Sequence, residues 1–334
     1  MKTITLMLAA VLSPILLLAQ SADLTPGDIA SLDDIAFLNY STSYSNTSDA
    51  DVVDDMGYNF SVKETDINSS FTEYPSSFFR NQLVIVSSRK IGAFGKKSKS
   101  TLEPFAKVFG LDFTRNGSLD RPLLFLGLFN TRNHSQGGIA FAPDEKTVYY
   151  TRASEDNPQN YQLYIGFLSK KISGLWENET VASFNSTEYS IENPYITPDG
   201  ETLYFSSNKP GGLGGYDLYK AAINEDGTVG IPQNLGSRIN SAKDERFPSI
   251  SPDGKNLYLS SNRYTGLGGY DLYRSSIAGS TYSKPENMGN TLNTPSDDVA
   301  FVPVSGTSGY FSSNRNPSEN KNADIYYFSG EITK

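Results

Sequence analysis

Apolar and polar positions follow one pattern that recurs about every 54 residues. Two copies are nearly identical: residues 193–220 read NPYITPDGETLYFSSNKPGGLGGYDLYK, and residues 247–274 read FPSISPDGKNLYLSSNRYTGLGGYDLYR. Each copy holds an apolar run, a Pro-Asp-Gly turn, a run of alternating apolar and polar residues, a glycine-rich stretch and a third short run. Alternation with period two predicts β-strands, and the proline and glycine clusters predict the turns between them.

Weaker copies of this unit stand on both sides of the two clear ones. They are FAPDEKTVYYTR at residues 141–152, SFFRNQLVIVSSRK at 77–90 and FVPVSGTSGYFSSNR at 301–315. A repeat of about 50 residues is typical of arrays and propellers. The five copies share one position, with spacings of 64, 55, 54 and 52 residues, occupied by Val84, Val148, Leu203, Leu257 and Gly309.

Each copy predicts four short strands. In the fourth copy these are residues 247–251, 256–260 and 270–274 and a stretch around 282–288, and the second strand is expected to alternate inward apolar and outward polar residues. Four strands in each of five repeats indicate a propeller, because radial closure leaves few exposed sheet edges. We predict an all-β, five-bladed β-propeller of four-stranded antiparallel blades, with six blades as the alternative.

The ring also needs a closing strand. Residues 58–67 (YNFSVKETDI) have strand character, and we predict that they add an outer strand to the blade containing residues 325–328. The propeller then covers residues 57–334. Residues 21–56 are expected to form an acidic flexible arm, since residues 23–56 hold eight Asp and no Lys or Arg. A short helix could begin after Thr25 and Pro26.

The N-terminus predicts export. Lys2 is followed by an apolar run over residues 4–18 and by small or polar residues from Ala19 to Ala22. This is the pattern of a secretory signal peptide (residues 1–20), and the run of about 15 residues is shorter than the roughly 20 that a spanning helix needs. An uncleaved anchor is the alternative. We expect a protein that does not span the membrane and that lies in the periplasm or at the outer membrane or cell surface.

Composition narrows the function further. The chain has no cysteine, which excludes a disulfide framework and a thiolate metal site. It has 37 Asp and Glu against 28 Lys and Arg, a formal net charge of −9, and no basic stripe, so nucleic acid is not an expected partner. We predict no cofactor and no metal ion.

The phrases SPDGKNLYLSSNR and GLGGYDLYR resemble the PD40 repeat, a TolB-like and WD40-like β-propeller unit. The longer run from residue 184 to residue 254 is similar to that repeat in Bacteroidota envelope proteins of the OmpA family, including the PorE-like component of type IX secretion. The resemblance covers residues 59–328. It implies a periplasmic or envelope-associated protein that binds partners, such as a PorP-like outer-membrane β-barrel, in type IX secretion or gliding. Peptidoglycan anchoring is not carried over, because the matched residues belong to the propeller alone.

Catalytic candidates are few. His134 is the only histidine, and it lies in the turn before the second blade. The sequence therefore offers a single candidate base for a Ser-His-Asp or Cys-His arrangement. A G-x-S-x-G elbow is absent, which argues against a serine peptidase. The sequence therefore favours a non-enzymatic protein-protein interaction or scaffold propeller of the cell envelope.

Carboxylates provide the alternative, a glycan-binding or glycoside-hydrolysing propeller with a central acidic funnel. Retaining glycosidases need two carboxyls about 5 Å apart and inverting ones about 6.5–9.5 Å. The acids could equally bind a cation or polar ligand, or they could lie solvated between blades or pair with Arg246 and Arg238. Because they recur with the repeat, a structural role is the simpler interpretation. Six acids align near the starts of inner strands: Glu73, Glu192, Asp244, Glu245, Asp297 and Asp298.

Two further features require an interpretation. Residues 211–215 and 266–269 are glycine-rich but precede strands, so we predict loops rather than phosphate cradles. Asp217 and Asp271 are expected to accept hydrogen bonds from nearby backbone or from residues 206–208 and 260–262. The first blade carries a basic loop, RKIGAFGKKSK, that could dock an acidic partner, an anionic lipid headgroup or a glycan, or could simply be solvated. Its cations are Arg89, Lys90, Lys96, Lys97 and Lys99.

Overall fold

The structure, a computed structural model, describes residues 58–91, 97, 103–114, 118–125, 134–172, 175–316 and 322–332. The predicted signal peptide, the acidic arm and the short helix after Pro26 lie outside these residues. The described residues form 21 strands and no helix. Accordingly, none of these residues belongs to a helix that could cross a membrane.

Five antiparallel sheets confirm the predicted five-bladed propeller. Blade one consists of β2 (Glu73–Phe79), β3 (Gln82–Ser87), β4 (Lys107–Asp112) and β5 (Leu123–Leu124). Blade two consists of β6 (Gln136–Phe141), β7 (Thr147–Ala153), β8 (Tyr161–Leu168) and β9 (Trp176–Val181). Blade three consists of β10 (Ile191–Ile196), β11 (Thr202–Ser207), β12 (Asp217–Ala222) and β13 (Gln233–Asn234). Blade four is β14 (Glu245–Ile250), β15 (Asn256–Ser261), β16 (Asp271–Ala278), β17 (Thr281–Tyr282) and β18 (Glu286–Asn287), and blade five is β19 (Asp298–Pro303), β20 (Ser308–Ser313), β21 (Asp324–Ile332) and β1 (Tyr58–Glu64).

The ring is visible in the order of the inner strands. Neighbouring inner strands are adjacent in the cycle β2, β6, β10, β14, β19 and back to β2. The hydrophobic core lies between the blades, because each of the five buried clusters combines residues of two neighbours. Leu257 of blade four, for example, belongs to one cluster with Tyr204 and Leu218 of blade three. No blade could bury its own apolar face alone, so the stack is the folding unit.

The second strands differ from their predicted pattern. Residues 256–260 were expected to alternate between the core and the solvent, but in β15 every residue after Asn256 is buried. The reason is that one face of a blade is covered by the preceding blade in the ring and the other face by the following blade. Its polar side chains, Ser260 and Ser261, are therefore enclosed and form hydrogen bonds with neighbouring strands.

The predicted closing strand is present. β1 pairs antiparallel with β21 from Tyr58 opposite Ile332 to Glu64 opposite Tyr326. Phe60 of β1 packs edge-on against Phe328, with ring centroids 5.4 Å apart. The two ends of the described chain thus complete one blade, which fastens the ring by main-chain hydrogen bonds.

The outer strand of blade four is broken. The sequence predicts one strand around residues 282–288, whereas the structure has two short strands, β17 and β18, both paired with β16. Pro285 lies between them, and a proline has no N–H group to donate to the ladder.

Candidate functional site

The disc has two faces. We call the face on which the inner strands begin the start face, and the face that carries the turns between first and second strands the turn face. The predicted acids lie towards the start face, and the Pro-Asp-Gly turns lie on the turn face. In these turns the Asp199 and Asp253 carboxylates accept hydrogen bonds from the backbone N–H groups of Glu201 and Lys255, each at 3.0 Å.

Glu245 shows how the inner-strand acids are used. It is fully buried, and its carboxylate accepts hydrogen bonds from the backbone N–H and the hydroxyl of Ser241, each at 2.7 Å, and from Ser261 at 2.7 Å. The Arg263 guanidinium lies 3.2 Å away and also donates to the carbonyl of Ile239 at 2.9 Å. This acid joins a blade to the linker that enters it. Its oxygens are already engaged.

Two other acids are bound in the same way. Glu73 pairs with Arg89 at 2.6 Å, and Asp298 pairs with Arg315 at 2.7 Å; both acids are fully buried. We call these three ion pairs the arginine clasps. Each clasp includes a serine of the second strand, to which the arginine Nε donates: Ser87, Ser261 and Ser313.

The other two blades lack both partners. The position of the acid is taken by Gln136 in blade two and Ile191 in blade three, as the strand registers show. The position of the arginine is taken by Ser154 and Lys209. Acid and arginine are thus present together or absent together within one chain. This correlation was available in the sequence, and it points to a structural pair rather than to a ring of ligands.

Asp244 and Asp297 connect neighbouring blades. Asp244 accepts a hydrogen bond from the backbone N–H of Tyr216 in the preceding blade at 2.8 Å and another from the Tyr270 hydroxyl at 2.8 Å. Asp297 accepts the backbone N–H of Tyr270 at 2.9 Å. Both residues therefore hold a glycine-rich loop against the start of the next inner strand.

The glycine-rich loops have a packing role. A Cβ atom on Gly214 would overlap the carbonyl oxygen of Lys243 in the next blade, and one on Gly268 would overlap the backbone of Thr294 and Pro295. The predicted hydrogen bonds of the loop aspartates are confirmed: Asp217 and Asp271 accept backbone N–H groups from residues 213–214 and 267–268. The GLGGYD motif is therefore a joint between blades.

Glu192 is partly exposed, as are Asp244 and Asp297, but it is bound differently from them. Its carboxylate forms an ion pair with Arg246 and accepts hydrogen bonds from the Tyr216 hydroxyl at 2.7 Å and from Ser190 at 2.6 Å. Burial, followed by the charge of Glu192, raises the pKa of the Tyr216 hydroxyl. The predicted pairing with Arg246 is thus present. Arg238, the other proposed partner, forms no ion pair within the described part of the chain.

The channel narrows at its centre. All five inner strands carry a β-bulge there, and Asn193, Phe247 and Ala300 adopt the left-handed backbone region with φ between 50° and 58°. The bulges surround a cavity of only about 20 Å³. That volume holds about one water molecule and no sugar ring. Among the described residues, no group of three or more Asp, Glu, His or Cys is arranged to hold a metal ion.

The remaining sequence candidates are dispersed. His134 directly precedes β6 and lies 3.6 Å from the exposed Glu155, while its carbonyl accepts a hydrogen bond from the Lys107 ammonium at 2.9 Å. Burial lowers the pKa of Lys107 to about 8. In the predicted basic loop, Arg89 is committed to the clasp with Glu73. The structure also includes Lys90 and Lys97, whereas Lys96 and Lys99 lie outside the described residues.

One apolar concavity was not foreseen from the sequence. It lies at the centre of the turn face, has a volume of about 450 Å³, and receives side chains from all five blades. We call it the basin. Its polar rim includes Arg80, which forms an exposed ion pair with Glu145 at 3.3 Å. Its apolar lining consists of Phe78, Phe79, Phe113, Ala140, Phe141, Ala142, Pro143, Tyr195, Ile196, Pro198, Pro252, Val302, Pro303 and Val304.

A signal for the basin exists in the repeat. The last residue of an inner strand, or the turn residue after it, is apolar or proline in every copy, as at Phe79, Phe141, Ile196, Pro252 and Val304. Each of these positions looks like ordinary core when one blade is considered alone. Only ring closure gathers them around one axis.

Comparison with known proteins does not assign the chain to a family. No family model matches the chain, and no curated protein does. Solved structures that are similar include a putative TolB from Agrobacterium tumefaciens (15% identity, TM-score 0.40, covering 75% of this chain and 72% of that one) and TolB from Acinetobacter baumannii (17%, 0.41, 79% and 56%). The chain thus covers little more than half of the Acinetobacter protein.

A solved structure described as an enzyme is similar to about the same degree. A levansucrase mutant from B. megaterium is 13% identical, with a TM-score of 0.48 and 88% of each chain covered. At such identities and scores the comparisons support no statement about this chain, and the five-bladed architecture rests on its own strand pairing.

Proposed function

We propose that this protein is a non-enzymatic interaction propeller of the cell envelope that holds a protein partner through the basin. The observation that carries the proposal is the composition of the basin: a concavity of about 450 Å³ whose wall is mostly phenylalanine, proline and valine. Binding energy in protein interfaces concentrates where an apolar or aromatic anchor fills such a pocket. The basin therefore fits an apolar side chain projecting from a partner.

The construction of the basin supports this role. Its wall comes mainly from the inner strands of the five blades and the turns that follow them, which are fixed by the ring, so little conformational entropy is lost when a partner binds. Its volume lies within the range of about 300–1,000 Å³ typical of preformed binding sites. A concave apolar surface of this kind on a soluble protein is a usual sign of an interaction site.

The location and the partner rest on the sequence. The N-terminal signal pattern supports export, and the repeat motifs resemble those of envelope propellers associated with type IX secretion. On that basis we propose an accessory role in secretion or gliding, with an outer-membrane β-barrel as partner.

The absence of catalysis is part of the proposal. Five of the six candidate acids are engaged in clasps or joints between blades, and Glu192 is paired with Arg246. Incubation with a panel of chromogenic glycosides is expected to give no hydrolysis. If hydrolysis were observed and were lost in Glu192→Gln, the glycosidase alternative would replace this proposal.

Site-specific photo-crosslinking tests the docking site. A photoreactive residue replaces Thr197, which lines the basin, or Thr265, which lies in a loop of the start face as the matched control. In cells of the source organism we expect one envelope protein to be linked from position 197 and not from position 265. Addition of Val304→Glu, which places a charge in the basin, should remove the adduct. Equal adducts from both positions would refute docking at the basin.

A further inference from the structure

A second surface lies on the start face, between blades three and four. It is a groove of about 690 Å³ lined by the cations Arg238, Arg263 and Lys284, and none of the described residues that line it is acidic. Arg263 is neutralised by Glu245 in a clasp. Arg238 and Lys284 are exposed and form no ion pair with the described residues. The groove therefore carries two uncompensated positive charges on a protein whose formal net charge is −9.

The groove also presents apolar surface. Leu213 on its wall is 44% exposed, and Tyr264, next to Arg263 in the chain, is 86% exposed. The Lys243 ammonium lies 4.3 Å from the centre of the Tyr264 ring, which adds a third cation beside the groove. A matching ligand would combine carboxylates with aliphatic or aromatic side chains. Electrostatic complementarity of this kind selects the partner and its orientation.

We propose that this groove binds residues 31–40 of the same chain, SLDDIAFLNY. This segment places Asp33 and Asp34 directly before Ile35, Phe37 and Leu38. It belongs to residues 23–56, which hold eight Asp and no Lys or Arg, so no like charge opposes its approach. In the complex the two carboxylates face Arg238 and Lys284, and the apolar side chains cover Leu213 and Tyr264.

The connecting chain is long enough. Residues 41–57 separate this segment from the start of β1 at Tyr58 and can span about 56 Å at about 3.3 Å per residue. A domain of about 275 residues is about 50 Å across. A tether of this length also gives an effective concentration near the millimolar range, so modest affinity suffices.

Disulfide trapping in the full mature protein tests this proposal, because the chain has no cysteine of its own. The pair Ala36→Cys and Ser237→Cys places thiols on the segment and on the groove. The control pair, Ala36→Cys and Thr197→Cys, places the second thiol in the basin on the opposite face. We expect an intramolecular disulfide in the first pair and at least five-fold less in the control.

Charge reversal supplies a second readout. Arg238→Glu with Lys284→Glu should reduce trapping at Ser237 at least five-fold, and 0.5 M NaCl should reduce it in the unaltered groove. The matched control, Lys146→Glu with Lys255→Glu, changes the charge equally on the turn face and should have no effect. Preferential trapping at Thr197, trapping only between two chains, or no trapping at either position would each overturn the proposal. None of these results requires the basin to bind a partner, so the two proposals fail separately.

Discussion

The carboxamide of Asn68 forms two hydrogen bonds with the backbone of Ile325, which lies 257 residues further along the chain. Its oxygen accepts the Ile325 N–H at 2.9 Å, and its nitrogen donates to the Ile325 carbonyl at 3.0 Å. Blade five, although it is assembled from both ends of the described chain, is thus completed in the same way as blades two, three and four. The equivalent pairs are Asn185 with Leu163, Asn240 with Leu218, and Asn293 with Leu272.

Replacing Asn68 should loosen the ring at its closure. Asn68→Ala removes both hydrogen bonds to Ile325 and a longer one from the Thr65 hydroxyl, and it leaves the N–H group of Ile325 without its acceptor. We therefore expect the free energy of unfolding to fall by about 1–3 kcal/mol. Urea unfolding followed by circular dichroism measures this change. The control is Asn316→Ala, since the side chain of Asn316 donates an exposed hydrogen bond to Glu64 and its loss should change stability by less than about 0.5 kcal/mol. Equal stability of the two variants would contradict the closure role.

Alanine substitutions should distinguish a glycine at a joint between blades from a glycine with open space around it. Gly214→Ala should destabilise the protein by about 2 kcal/mol or more, because the new methyl group would overlap the Lys243 carbonyl of the next blade. Gly306→Ala is the matched control, since its Cβ would meet no atom within 4 Å. Thermal unfolding of both variants decides the matter. If Gly214→Ala melted at the wild-type temperature, the loop would not be a joint between blades.

Removing only the arginine of a clasp should destabilise the protein more than neutralising both partners, because it leaves a buried charge without a counter-ion. Arg263→Met leaves the fully buried Glu245 without its counter-ion, and we expect a loss of about 3–5 kcal/mol in the free energy of unfolding. Adding Glu245→Gln should restore part of that loss, because the remaining group is then uncharged. Arg80→Met, which breaks the exposed pair with Glu145, should cost less than about 1 kcal/mol. Chemical denaturation that found equal losses for the Arg263 and Arg80 variants would refute a structural role for Glu245.

Asp324 should make stability depend on pH. Burial, followed by the charges of Glu64 and Glu73, raises the pKa of Asp324 to about 6. The folded protein therefore binds more protons than the unfolded chain between about pH 4 and 6, and this group lowers the free energy of unfolding as the pH rises through that range. Asp324→Asn removes the effect. The melting temperature of the variant should match the wild type near pH 4 and exceed it above pH 7; a constant difference would contradict the assignment.

The blades could be predicted because their signals are local. Turn residues and short apolar runs occur within one repeat, and they indicate the first three strands of a blade without reference to the rest of the chain, although the expected in-and-out alternation of the second strand is absent. The outer strands were less predictable, since β5, β13, β17 and β18 have two residues each and depend on pairing rather than on pattern.

The candidate site was less predictable for a geometric reason. Glu245 and Asp244 are adjacent in sequence, and both were expected at the channel, but consecutive side chains of a strand point in opposite directions. Glu245 therefore enters its own blade while Asp244 reaches the preceding one. The basin depends on five inner strands meeting around an axis, which no single repeat reveals.

The most direct measurement is the affinity of the cross-linked partner for basin variants of the purified protein. Val304→Glu combined with Thr197→Glu should weaken binding at least ten-fold in calorimetry, since two charges would enter an apolar cavity. The control, Ile231→Glu with Leu267→Glu, adds the same charges at residues that are 88% and 50% exposed outside the basin and should bind like the wild type. Unchanged affinity in the basin variant, or equal losses in both variants, would contradict docking at the basin.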